Sequence, residues 1–418
     1  MRFILKRAEI AALAVVVAGC GGGEGGGGGS SQFPTMGMPG TPSPARIGAN
    51  LVLAEVEVNG MSGPLMLVDT GSPFTLVDPS AYPGIQFPSS PQVMVDLTFG
   101  VFTVDNVPAV VTTAIGNGDV PQIVGGNLMR EFPVQLDYSE REPSRAFRLG
   151  ESNMAAVGVE QPGGSVSFTL EGGGMGRISE VSDTTVSIPA TRVPVTVDIE
   201  GTAHPFILDT GASEVTVRSS VYATLTADGR SQLSGLPIGT AMGHAQAEVT
   251  RAKTITVGGQ TVQNAPVMTI GDAVVDALES EVNHPIDGLL GGSFLREFLV
   301  TIDYPHTTLL LQRYAPPLMV NDEFKRVGIE IGTGSGGHRY TAGVVYPGTD
   351  AAAKQISVGD EIVSVDGQSL DALDAIAADE SLNGTVGTTK QIKLGATAVP
   401  ALSNTTVSVQ VEDLIPVP

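Results

Sequence analysis

Short runs of Val, Thr, Ile and Leu, each closed by Gly or Pro, recur along most of the chain. Two of them alternate apolar and polar positions before a Gly: Val56-Glu57-Val58-Asn59-Gly60 and Val197-Asp198-Ile199-Glu200-Gly201. A two-residue period ending at Gly predicts a half-buried strand that reverses in a tight turn. Wholly apolar runs follow, Leu65-Met66-Leu67-Val68 and Phe206-Ile207-Leu208, and each stops on the same triplet, Asp69-Thr70-Gly71 or Asp209-Thr210-Gly211. Abundant Gly, no Trp and this texture of short β-branched runs together predict a β-rich protein.

The landmarks recur in one order. Pro64 precedes Asp69 as Pro205 precedes Asp209. Further on, Ile123-Val124-Gly125-Gly126-Asn127-Leu128-Met129-Arg130-Glu131-Phe132 matches Leu289-Leu290-Gly291-Gly292-Ser293-Phe294-Leu295-Arg296-Glu297-Phe298. Each copy closes on a strand pattern, Val134–Tyr138 or Val300–Tyr304. The two Asp lie 140 residues apart, a plausible lobe length, and the second copy carries a longer insertion at 222–282. The chain therefore contains a duplication, with lobe 1 expected at 49–180 and lobe 2 at 181–316. The Gly-rich stretch 163–188 is expected to join the lobes or to form a surface excursion. Arg130-Glu131 and Arg296-Glu297 read as a solvated face or a lobe-interface ion pair.

A carboxylate at the end of a buried strand is poorly solvated and needs hydrogen bonds or a partner that shares its charge. Two in one chain suggest that Asp69 and Asp209 face each other, the arrangement that activates water for hydrolysis. With these residues laid out, 50–315 resembles the pepsin/retropepsin superfamily of aspartic proteases, in which hydrophobic-hydrophobic-Asp-Thr-Gly and a later hydrophobic-hydrophobic-Gly recur once per lobe. The resemblance implies an all-β fold of two duplicated barrel lobes forming a pseudo-dimer, with Asp69 and Asp209 catalytic. It implies that Thr70 and Thr210 interlock across the lobes. Gly71 and Gly211 would bring backbone N–H groups to the carboxylates, with Gly125 and Gly291 as the partner motifs. Lobe 1 has Ser72 after its triplet and lobe 2 has Ala212. A hydroxyl there can donate to the neighbouring carboxylate, so Asp69 is expected to ionise more readily and Asp209 to hold the proton. Segment 94–111 lacks the Tyr of a pepsin-like flap, which favours the retropepsin side. Flaps are expected near 99–104 and 235–247.

Composition narrows the partners. Asp and Glu number 44 against 22 Lys and Arg, a formal charge of −22 with no basic stripe, so nucleic acid is not expected as a partner. The five His residues show no metal-ligand spacing, and neither metal nor cofactor is expected. The single Cys follows Arg2, Lys6, Arg7, an apolar stretch and Val17-Ala18-Gly19. This resembles a bacterial lipoprotein signal at 1–19, with Cys20 as the lipidated residue. An ordinary signal peptide followed by a structural Cys is the alternative. Gly21 lacks the charge of an inner-membrane retention signal, so the resemblance implies a cell-envelope protein, at the outer membrane in a Gram-negative cell. Residues 20–48 read as a flexible Gly-rich tether with a reach of about 30 Å.

After Pro316-Pro317 the pattern changes. A strand at Gly343–Tyr346, a short capped helix, Gly359-Asp360 and a strand closing on Asp366-Gly367 resemble a PDZ domain over 317–418. That implies binding of a peptide C-terminus, with Val327-Gly328-Ile329 as the carboxylate loop and Lys325 or Arg326 assisting. A plain core strand is the alternative for those residues. The expected protein is a monomeric, lipid-anchored aspartic endopeptidase acting on extended polypeptide, with the PDZ-like unit recruiting or regulating. Two rivals stand beside it: a catalytically inactive pseudoprotease that binds peptides as a scaffold, and a homodimer pairing each lobe with its like.

Overall fold

The computed structural model describes residues 8–9, 16–17, 32–90, 92–111, 122–139, 146–150, 158–160, 163–177, 185–240, 243–318, 322–334 and 338–418. Cys20 and nearly all of the expected signal segment lie outside the described residues. No helix among the described residues is long and apolar enough to cross a membrane. The chain divides into two compact units, one within 7–318 and one within 319–417.

In the first unit each triplet sits inside the same threaded loop. Met66–Val68 runs parallel to Gln122–Val124, with Leu67 opposite Ile123. Gln122–Val124 also lies antiparallel to Thr75–Val77, so it passes between the two strands that flank Asp69. Lobe 2 repeats the arrangement: Thr202–Leu208 is parallel to Gly288–Leu290, which is antiparallel to Val215–Val217. The end of the threaded strand leaves no room for a side chain. A Cβ at Gly125 would collide with the Phe74 carbonyl, and one at Gly291 with the Glu214 carbonyl. Glycine is required here for close approach, since neither residue has a positive φ.

A six-stranded sheet joins the lobes, in the order Gly164–Ser167, Thr308–Arg313, Phe298–Asp303, Pro133–Asp137, Phe147–Leu149, Pro42–Ser43. Its central pair, Gln135 opposite Thr301, brings together the closing strands of the two repeats. One apolar core, including Val68, Phe132, Phe147, Leu208, Phe294 and Phe298, runs through both lobes. The lobes thus share strands and core.

Two expectations change. Residues 35–48 are not tether: Thr35–Met36 pairs with Phe102–Val111, Pro42–Ser43 with Phe147–Leu149, and Ala45–Gly48 with Leu51–Ala54. Their Gly, Pro and Ser content hid strands whose partners lie up to a hundred residues away. Within the stretch 163–188, Gly164–Ser167 is an edge strand of the shared sheet and Gly174–Arg177 pairs with Thr185–Ile188. Finally, the hairpin around Phe99 is no flap. Phe99 and Phe102 are buried, against Phe147 at 5.6 Å and Phe132 at 5.8 Å, so that end is clamped to the core. The lobe 2 insertion forms two helices, Ser219–Thr226 and Asp272–Val282, and a long hairpin, Leu233–Thr240 with Gly243–Val257, whose tip at 241–242 lies outside the described residues.

The second unit has its own core, including Val327, Ile329, Ile331, Ile362 and Leu394. Ile329–Thr333 pairs with Tyr340–Val345, and a four-stranded sheet runs Gln368–Ser369, Ile362–Val365, Thr389–Leu394, Thr406–Gln410. The helix Asp350–Ala353 is capped by Thr349, whose Oγ1 accepts from the Ala352 N–H.

The tight crossing in lobe 2 sets a cost. Gly291→Ala forces a methyl against backbone that cannot retreat, and is expected to destabilise the protein by about 3 kcal/mol. Urea unfolding checks this; a midpoint equal to wild type would contradict the close approach.

Candidate active site

Asp69 and Asp209 stand at the ends of buried strands, and both are completely buried with Thr70, Ser72, Thr210 and Ala212. The two triplets face each other. The Thr70 N–H donates to Thr210 Oγ1 (3.0 Å) and the Thr210 N–H to Thr70 Oγ1 (3.1 Å). Each hydroxyl then donates across the interface, Thr70 to the Leu208 carbonyl (2.9 Å) and Thr210 to the Val68 carbonyl (2.7 Å). These four bonds, two per lobe, satisfy strand-end groups that neither lobe satisfies alone.

The glycines complete the contact. A Cβ at Gly71 would lie 2.5 Å from Asp209 Cγ, and one at Gly211 would press on Asp69 Cγ. Each triplet glycine is therefore the floor beneath the other lobe's carboxylate. The Gly71 N–H donates to Asp69 Oδ1 (2.7 Å) and the Gly211 N–H to Asp209 Oδ1 (2.9 Å). The Oδ2 atoms have no other protein partner, and the two carboxyl side chains bond to one another.

Burial drives the Asp69 carboxyl well above the usual carboxylate range, and the Asp209 charge and hydrogen bond push it the same way. Asp209 is raised less, to about 6: burial raises it, while the Asp69 hydrogen bond, the Gly211 N–H, the Arg192 charge and the Ala212 N–H lower it. The ground for the expected asymmetry is absent. Ser72 Oγ donates to the Phe74 carbonyl (2.8 Å), which takes its hydroxyl away from Asp69. Both carboxyl groups are raised by burial and titrate as one pair that shares a proton.

Several residues that the sequence did not single out hold this centre. Asn127 and Ser293, at matching places after the Gly-Gly pairs, do the same work with different chemistry. Asn127 Oδ1 accepts from the Thr75 N–H (2.7 Å) while Nδ2 donates to the Pro108 carbonyl (2.6 Å). Ser293 Oγ accepts from the Val215 N–H (2.8 Å) and donates to the Pro266 carbonyl (2.8 Å). Asn50 of lobe 1 donates to the Ser213 carbonyl (3.1 Å) and accepts from Arg296 Nη1 (2.6 Å) of lobe 2. Arg130 of lobe 1 reaches back to the Ala190 carbonyl (3.1 Å). Both arginines of the Arg-Glu repeats thus bond across the lobe interface, to neutral groups. A buried Arg192 also lies here; only the folded chain shows it, because its carboxylate partner is Glu281.

In the second unit, Val327 and Ile329 are buried and their N–H groups are engaged, with the Leu382 and Val327 carbonyls respectively. Gly328 lies against Thr349, where a Cβ would overlap the side chain. Arg326 is fully buried and ion-paired with Asp379 and with Glu330 (3.4 Å), and Lys325 pairs with Asp322 (3.5 Å). The expected helper cations are therefore occupied. Among the described residues, Ile329–Thr333 pairs only with Tyr340–Val345, which leaves its other edge without a strand.

The raised carboxyls carry a consequence for stability. Folded-state values above the ordinary carboxylate value mean that the dyad favours the folded state most below about 3.8 and loses that contribution as pH rises through about 6. Asp69→Asn, neutral at every pH, is expected to raise Tm relative to wild type at pH 8 and to leave it nearly unchanged at pH 4. Thermal unfolding at the two pH values tests this, and an equal effect at both would count against the buried charge.

Residues 195–297 match the family model described as "gag-polyprotein putative aspartyl protease", a span that contains Asp209 and Gly291, and residues 319–396 match the PDZ domain model. No curated protein matches the chain. Among solved structures, an aspartic proteinase from Irpex lacteus is 14% identical over 68% of this chain and 98% of its own, with a TM-score of 0.40. A retropepsin-like aspartic protease from Rickettsia conorii is 22% identical over 29% of this chain and 90% of its own, with a TM-score of 0.23. The chain carries a retropepsin-like aspartyl protease domain and a PDZ domain, a combination that supports a protease-type function.

Proposed function

We propose that the bilobal unit is an aspartic endopeptidase. The observation that carries this reading is the reciprocal Thr70/Thr210 interlock, which holds two buried carboxyl groups against one another with their Oδ2 atoms uncommitted to other protein groups. In the working state Asp69 is protonated and Asp209 ionised. A water between them gives a proton to Asp209 and attacks the scissile carbonyl, whose oxygen takes the Asp69 proton. The resulting gem-diol collapses as Asp209 passes its proton to the leaving nitrogen and one diol hydroxyl returns a proton to Asp69. No acyl-enzyme forms. The substrate is polypeptide in extended form, lying across the interface of the lobes.

The PDZ domain supplies peptide binding. The open edge of Ile329–Thr333 suits strand addition of a peptide, with the loop Val327-Gly328-Ile329 at its end. Capture of a free C-terminus there requires the Val327 or Ile329 N–H to leave its present carbonyl. With lipidation at Cys20, the enzyme acts as a monomer tethered at the cell envelope, the PDZ domain recruiting substrate.

The soluble fragment from Gln32 onward is expected to cleave unfolded polypeptide as a monomer by light scattering. Activity should rise with pH through a limb at about 6 and fall at least a thousandfold in Asp69→Asn and Asp209→Asn. Equal turnover by wild type and both variants would reject the dyad; tight peptide binding without any turnover would favour the scaffold.

A further inference from the structure

Arg192 and Arg326 are the two largest fully buried side chains among the described residues, and the charge that Arg192 carries needs a reason. It stands two residues before the strand Pro194–Ile199 of lobe 2 and reaches into lobe 1, where Nη1 donates to the Gly71 carbonyl. Its Nε and Nη2 fork onto Glu281 of the helix Asp272–Val282, at 2.9 and 2.7 Å. Its backbone is pinned on both sides to Glu171, whose N–H donates to the Arg192 carbonyl and whose carbonyl accepts from the Arg192 N–H. Lobe 1 has nothing similar, since Val52 lies at the same spacing before Asp69.

We propose that Arg192 is a positioning residue of the dyad: bridging from lobe 2 to the Gly71 carbonyl, and steered by Glu281, it fixes the lobe 1 catalytic turn and sets the pH at which the carboxyl pair is singly ionised. This rests on the reading of Asp69 and Asp209 as a working pair. Gly71 both donates to Asp69 and lies under Asp209, so a bond to its carbonyl sets the height of the turn that carries both contacts. The guanidinium also lowers both carboxyl groups against the larger effect of burial. The other titratable groups that face the dyad are Tyr138 and Tyr304, both buried and pushed up by burial first and by the carboxylates second, so they stay neutral over the working range. Around Arg192 itself stands Glu281, while the Glu171 carboxylate is taken by His284 at 2.5 Å. Glu281 is thus the group that tempers the arginine. Without it the guanidinium is a fuller positive charge beside the pair; without Arg192 the pair has none.

The two partners should therefore shift the dyad in opposite directions, which a purely structural role would not do. The test uses the full folded chain with Arg192→Met, Arg192→Lys and Glu281→Gln. It reads kcat/KM against pH on an unfolded polypeptide and, independently of turnover, the carboxyl-carbon NMR titrations of Asp69 and Asp209. Arg192→Met should move the acid limb and both titrations to higher pH by about one unit, and Glu281→Gln should move them to lower pH. Arg192→Lys should keep most of the wild-type titration while losing kcat, because an ammonium cannot fork to both partners. If Arg192→Met fails to fold, the direction of the Glu281→Gln shift decides alone. Limbs and titrations that stay in place in the variants that fold, with only amplitude lost, would overturn the proposal. Titrations that shift as expected in a protein that cleaves nothing would uphold it and reject the protease reading.

Discussion

Two carboxyl groups buried against each other are the constraint on which the first unit depends. Charge in such a place is opposed by desolvation and by the neighbouring charge, so every feature near the interface serves to hold the pair in spite of both. The threonine interlock is the central one. Thr70 Oγ1 accepts from the Thr210 N–H and donates to the Leu208 carbonyl, and Thr210 Oγ1 does the mirror image. A lobe alone would bury one hydroxyl, one N–H and one carbonyl without partners, each at a cost of about 1–3 kcal/mol. The lobes are therefore obligate partners at their catalytic turns, and the shared sheet keeps them aligned.

Much of this arrangement was legible because it is written twice. The Asp-Thr-Gly triplets, the Gly-Gly pairs and the strands ahead of them occur in one order in both halves, and close-packed glycine against backbone is a demand that sequence displays directly. What stayed hidden depends on distant partners or on exchangeable chemistry. Residues 35–48 have the composition of a linker and become strands only because Phe102–Val111, Phe147–Leu149 and Leu51–Ala54 offer them edges. Asn127 and Ser293 perform one task with unlike side chains, so a comparison of the repeats passes over them. Ser72 against Ala212 is a visible difference that misleads, since the hydroxyl finds the Phe74 carbonyl two residues on. Arg192 is the plainest case: its acidic partner lies 89 residues away, on the helix Asp272–Val282.

In the PDZ domain the same physics takes another form. Arg326 is as deeply buried as Arg192, yet its charge is met by Asp379 and Glu330 within its own unit. Both Nη groups of Arg326 are taken by Asp379, which keeps its charge within the core and away from the loop it precedes. Sequence places a cation beside Val327; folding decides that it is structural.

Fusion of the two halves matters for the chemistry as well as for stability. Two identical chains must place identical residues around both carboxyl groups, and nothing then prefers one for the proton before substrate binds. Here the halves have diverged where it counts. Lobe 2 brings Arg192, where lobe 1 has Val52 at the same spacing, and the Glu281 that pairs with it. Lobe 2 also carries the strand Leu233–Thr240 ahead of Gly243–Val257, the strand that corresponds to Gln92–Phe99 of lobe 1. The two carboxyl groups accordingly stand in unlike surroundings, with the lobe 2 guanidinium bonded to the lobe 1 turn at Gly71. A duplicated frame supplies the shared geometry, and its departures from symmetry assign the roles.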